Sequence, residues 1–237
     1  MLVVSSWPLV VSLGVVFVML GISAGYVGVM VLGASVALMG LLGWVGEDQV
    51  KGLWSVLEGS CVGVGAVGVL IFIFMEFCFF VALVASSLYM VDSWDEGVKV
   101  DMYEVPLLIS LVLLSSGVSI TLAHQSMHSG LLWTASTWVF VTVLLGVVFV
   151  AIQYGEWGTN WFSVTDGVGG SLFYLITGFH GMHVILGVGL NLLLLCMVMG
   201  EGLSAGSEWK SEGVVWYWHF VDVVWLFVFL TVYWYCM

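Results

Sequence analysis

Apolar residues run through this chain in long continuous blocks separated by short polar breaks. Each block reaches the roughly 20 residues that carry a helix across the hydrocarbon of a bilayer. Seven such blocks predict transmembrane helices at about 7–25, 26–46, 57–91, 105–128, 132–155, 165–199 and 213–236. Valine is abundant in them, but lipid-facing strands would alternate apolar with polar positions, and these blocks do not. The reading is an all-α membrane protein.

The breaks are as informative as the blocks. The first two spans are so close that they must form a tight antiparallel hairpin. Glu47, Asp48, Gln49 and Lys51 mark an exit into water, as does the acidic stretch from Asp92 to Glu104. Pro8 suits the first turn of the first helix, Pro106 opens the fourth, and Thr165 or Asp166 can cap the sixth. No long polar block separates the spans, so residues 1–237 read as one polytopic membrane domain. The start lacks a basic segment and a small-residue cleavage site, which predicts a retained first span rather than a signal peptide. Gly21 with Gly25, and Gly59 with Gly63, stand four apart as at closely packed membrane helices. Trp133, Trp157, Trp161, Trp209 and Trp234 fall near span ends, where interfacial aromatics sit.

Composition narrows the class. The chain is 62% hydrophobic and 8% charged, with three lysines and no arginine, and its formal net charge is −12. That balance excludes nucleic-acid binding, which needs basic residues against phosphate. Abundant valine, glycine, tryptophan and phenylalanine with scarce lysine, asparagine and proline points to a G- and T-rich coding strand, as in an organellar genome. Cys61, Cys78, Cys196 and Cys236 lie in apolar blocks without a paired motif and read as packing residues. Lys51 and Lys210 fall on the side of the N-terminus and Lys99 opposite, so the positive-inside rule puts the N-terminus in the matrix or cytoplasm.

Against this apolar background a few ionisable residues stand out. Glu76 lies near the centre of the third span, where a bare carboxylate costs several kcal/mol. It must be neutral or paired, and it is either a proton-handling or lipid-contacting carboxyl or a hydrogen-bonded packing residue. His180 and His183 lie about 60° apart on one face of the sixth span. Together with His124 and His128 they present imidazole pairs of the kind that hold a metal or haem, yet no carboxylate or cysteine joins either pair in a motif. The alternative is that they make hydrogen bonds between helices. His219 and Asp222 share a face of the last span, and mutual neutralisation favours a structural pair over a catalytic dyad. No nucleophile elbow, phosphate loop or zinc-protease motif is present, so hydrolase and NTPase readings have no support.

Three stretches closely resemble subunit III of cytochrome c oxidase: EVPLLISLVLLSSGVSITLAHQSMHSG from Glu104, SVTDGVGGSLFYLITGFHGMHVILGVGLN from Ser163, and WYWHFVDVVWLFVFLTVYWY from Trp216. SSWPLV, MEFCFFVALVASSLY and LGVVFVAIQYGEW agree in order, so the resemblance covers most of the chain. It implies seven transmembrane helices in a two-helix plus five-helix arrangement around a lipid-holding V-shaped cleft. It further implies a core subunit of complex IV, without catalytic or metal-binding residues of its own, that stabilises subunit I and sustains its proton uptake while oxygen is reduced to water. Haem and copper would lie in subunits I and II, and structural phospholipids with this chain. Expected partners are those subunits, accessory subunits, membrane lipids and, indirectly, cytochrome c; the acidic stretch from Asp92 to Glu104 reads first as a solvated loop and secondly as a surface that could steer basic cytochrome c. The implied location is the mitochondrial inner membrane.

Residue by residue, Glu76 matches the family's intramembrane carboxylate, and His180, His183, His219 and Asp222 match its GFHGxH and HFVDVVW motifs. Lys51, Trp54, Glu76 and His183 become lipid-cleft candidates. One departure matters: where the family carries basic residues for lipid phosphates, this chain has only Lys51, and Ala66 stands at the expected arginine. A cleft lipid should therefore be zwitterionic, absent, or anchored by a neighbouring subunit. Two other functions share these features, the homologous subunit of a quinol oxidase and a stand-alone proton-coupled transporter; no inverted internal repeat supports the latter.

Overall fold

The computed structural model describes residues 6–51, 54–90, 103–200 and 208–235, with side chains described except at 44–51, 54–65, 208–209 and 235. The described residues form seven helices: α1 (Trp7–Ala24), α2 (Val27–Lys51), α3 (Trp54–Tyr89), α4 (Val105–His128), α5 (Leu132–Thr159), α6 (Gly167–Met199) and α7 (Glu208–Val228), the last continued by a π-helical stretch, Phe229–Tyr235. Six of them are long and apolar enough to cross a membrane, and α2 is apolar over Val27–Gly43. The seven expected blocks are thus the seven helices. Lys51 and Trp54, two of the lipid-cleft candidates, lie outside the described side chains, as do Cys61, Gly59, Gly63 and Trp209; Lys99 and most of the acidic stretch lie outside the described residues.

The chain divides into two compact units, Met1–Cys61 and Val62–Met237. In the first, α1 and α2 form the expected hairpin. Gly25 turns the chain in a left-handed conformation, φ 70°, and its N–H and that of Tyr26 close onto carbonyls of Ile22 and Gly21. Of the described pair Gly21 and Gly25, Gly21 serves close packing: a Cβ there would stand 2.5 Å from the Met30 backbone nitrogen. Without that methyl group the two helix backbones can meet, which is what drives association where lipid removes the hydrophobic incentive.

In the second unit α4, α5, α6 and α7 pack in sequence and α7 closes back on α4, making a four-helix bundle. Its centre is filled by Trp218, Trp225, Phe149, Phe173 and Ile109, each under 2% exposed. Small residues on α4 let α7 approach. Ser110 and Ser116 then accept hydrogen bonds from the indole N–H groups of Trp225 and Trp218, at 2.9 and 3.0 Å. Each serine hydroxyl donates in turn to a carbonyl of its own helix, so the buried polar atoms are satisfied in a chain. Helix α3 meets this bundle through aromatic side chains, Phe79 against Phe179 and Phe80 against His183 and Phe220.

Local details differ from the sequence reading in three places. Asp166 occupies the N-cap position of α6 without capping it; its Oδ2 instead accepts the N–H of Ser163, holding the turn that precedes the helix. Cys78 and Cys196 are free and exposed on the chain's surface rather than packed in its core. Trp133, Trp161 and Trp234 are exposed, whereas Trp157 turns inward and stacks edge-on against Tyr174.

Candidate functional site

Several of the ionisable residues inside the bundle form separate hydrogen-bonded groups that tie one helix to another. Glu76 on α3 and His183 on α6 form the first. His183 Nε2 lies 3.0 Å from Glu76 Oε2, and its Nδ1–H donates to the Phe179 carbonyl at 2.7 Å. That second bond follows from position, because a ring nitrogen on a helix reaches the carbonyl one turn back. The imidazole side chain is 8% exposed and the carboxylate 26%, so the pair sits at the edge of the bundle with the ring inside. The edge of Phe80 packs against the ring, and the Tyr217 hydroxyl donates to the His183 carbonyl at 3.3 Å.

His180, one turn before, turns to a different partner. It is fully buried, its Nε2–H donates to the Val221 carbonyl of α7 at 3.3 Å, and its ring lies between Phe149 and Trp225. Each of these two histidines therefore makes its own interhelical bond.

His219 and Asp222 face the same way on α7, yet their closest approach is 3.9 Å, beyond hydrogen-bond reach. The Nε2 of His219 instead meets the Thr121 hydroxyl of α4 at 3.2 Å. The Asp222 carboxylate fits over Gly117 of α4 so tightly that a Cβ at Gly117 would strike Oδ2. His124 and His128, at the end of α4, do turn towards one another, with Nε2 atoms 3.1 Å apart.

A further group escaped the sequence reading. Glu156 on α5 is 4% exposed, and its Oε2 accepts from Gln153 Nε2 at 3.1 Å and from the Tyr233 hydroxyl at 3.3 Å. Gln153 and Glu156 are three apart at the end of the fifth apolar block, and the helix carries on past them to Thr159. Their position near the span's end disguised them as interfacial residues.

What these groups share is direction: Glu76 with His183, His180 with Val221, His219 with Thr121, and Tyr233 with Glu156 each join two different segments of the second unit. Polar groups in hydrocarbon must find partners inside the protein, and these four pairs find them across helix interfaces. The fold and these groups define a polytopic helical membrane protein whose intramembrane ionisable residues bind its helices together.

Comparison with known proteins agrees and goes further. The family model described as cytochrome c oxidase subunit III matches residues 1–237. The chain is 33% identical over 234 residues to cytochrome c oxidase subunit 3 of Heterololigo bleekeri, covering 92% of this chain and 90% of the relative. It is 34% identical over 233 residues to that of Lumbricus terrestris, with the same coverage of 92% and 90%. It is 43% identical to that of Latimeria chalumnae over 124 residues, 52% of this chain and 47% of the relative. The chain belongs to the cytochrome c oxidase subunit III family.

Proposed function

We propose that this chain is a non-catalytic core subunit of a respiratory cytochrome c oxidase in the mitochondrial inner membrane. It stabilises the haem-bearing catalytic subunit and sustains proton uptake there during oxygen reduction. The observation that carries this reading is the family match over residues 1–237, joined to the use of Glu76, His180 and Glu156 as helix-to-helix ties. Groups engaged in this way hold a scaffold in shape. The relatives' names refer to cytochrome c oxidase, which favours cytochrome c over quinol as the complex's electron donor. On this reading haem and copper belong to partner subunits, and lipids pack against this chain's exposed apolar surface, which includes Leu70, Ile71, Phe74 and Met75 of α3.

The role assigned to Glu76 is that of a half-buried polar anchor between α3 and α6. A Glu76→Ala oxidase should reduce its haem at the normal initial rate, while its activity decays faster over repeated turnover or the chain dissociates more readily. Immediate loss of haem reduction in an otherwise assembled Glu76→Ala complex would overturn the assignment.

A further inference from the structure

Where α4 ends and α7 begins, three metal-ligating side chains converge that lie far apart in the sequence. His124 and His128 stand one turn apart on α4, and Glu212 lies in the early part of α7. One ring nitrogen of each histidine and one carboxylate oxygen of Glu212 lie within 4.8 Å of one another. We propose that His124, His128 and Glu212 form a binding site for a divalent cation of the zinc class at this end of the bundle.

The donor chemistry selects that class. Two imidazoles and a carboxylate are a zinc ligand set, whereas calcium and magnesium take oxygen donors. Donors around a tetrahedral zinc at about 2.0–2.1 Å stand roughly 3.3 Å from each other. The two Nε2 atoms are already 3.1 Å apart, close to that donor spacing. An N–H···N hydrogen bond accounts for the two rings alone, not for the carboxylate beside them.

Access and field agree with the donor set. His128 is exposed while His124 and Glu212 are half-buried, which lets an ion enter and leaves a fourth position to water. His128 is the last residue of α4, where the helix carries its negative end, and the chain's formal charge of −12 adds to the attraction. The backbones that carry the donors are fixed by packing. The Trp218–Ser116 bond and the Gly117–Asp222 contact lock α7 onto α4 further along the same two helices. A bound ion would add a clamp at their outer end.

The test uses the intact detergent-purified complex that contains this chain, washed with chelator and equilibrated with zinc chloride. Bound zinc is counted at equal free zinc for the parent, His128→Ala and Glu212→Gln complexes. The parent should hold one more zinc per chain than either variant, and zinc-edge absorption of that increment should show two imidazoles. Equal zinc counts in all three, or an increment without imidazole scattering, would overturn the proposal. Should a variant not assemble, anomalous diffraction from zinc-soaked parent complex decides: a peak among the three side chains is required, and its absence refutes the site. The outcome does not depend on the oxidase assignment, because the count is taken on whatever complex the chain occupies.

Discussion

His183 and Glu76 share a single proton. The Nδ1–H of His183 is committed to the Phe179 carbonyl, which can only accept. The 3.0 Å bond between Nε2 and Oε2 therefore holds one hydrogen, whether carried by a neutral carboxyl or by an imidazolium. In both states the pair has no net charge, which is how a carboxylate and an imidazole can remain at the edge of a membrane bundle.

That arrangement separates two substitutions at one position. In Glu76→Gln the amide N–H can still donate to Nε2, so the helix tie survives. In Glu76→Ala the buried nitrogen is left unpaired, at a cost of about 1–3 kcal/mol. The temperature at which this chain is lost from the complex should fall for alanine and stay close to the parent for glutamine. Equal losses for both would mean that charge, not the hydrogen bond, is what matters.

Gly117 and Asp222 make a second prediction. A methyl group at Gly117 runs into the carboxylate, so Gly117→Ala must displace Asp222 or push α4 from α7, costing about 1–3 kcal/mol. Removing the obstacle with Asp222→Ala should make the second change much cheaper than it is alone. Thermal unfolding of the two single variants and the double variant measures this coupling, and strictly additive losses would contradict the close contact.

The indole bonds are open to the same treatment. Trp225→Phe removes the donor to Ser110, and Ser110→Ala removes its acceptor. The double-mutant cycle should give a coupling of about 0.5–1.5 kcal/mol in the stability of the complex, the usual net worth of one hydrogen bond. No coupling would show that the tryptophans hold α7 by shape alone.

Lipid composition offers a test that needs no mutation. Lys51 is the one lysine or arginine before Lys99 in the sequence, and Ala66, half-buried on α3, brings no charge. Lipids that remain with this chain after detergent exchange should be zwitterionic by mass spectrometry. An anionic lipid retained by the chain stripped of its partners would contradict the expectation.

The helices were legible because each is one unbroken apolar run, and their ends were marked by proline, glycine or acidic residues. Glu76 was legible for the same reason in reverse, as a carboxylate in the middle of such a run. Its partner was not. Nothing in the spacing of His180 and His183 says that one turns to α3 and the other to the Val221 carbonyl of α7, since those choices are set by how the helices rotate when packed. Asp166 illustrates a local limit: its place before α6 is right for a cap, but the turn at Ser163 captures its carboxylate first. Glu156 and Glu212 were passed over because each lies near a span's end, where acidic residues are ordinarily solvated. Only the fold brings Tyr233 to the one and two histidines to the other.

In the proposed function this chain belongs to a haem-bearing assembly whose shape its buried polar ties help to keep. The direct test is a native mass measurement on the complex drawn from mildly solubilised membranes through a tag on this chain. The expected result is one copy of the chain per complex, together with larger subunits that carry haem and copper, and loss of this chain first when Glu76→Ala is introduced. A chain that purifies alone, free of haem-bearing partners, would contradict it.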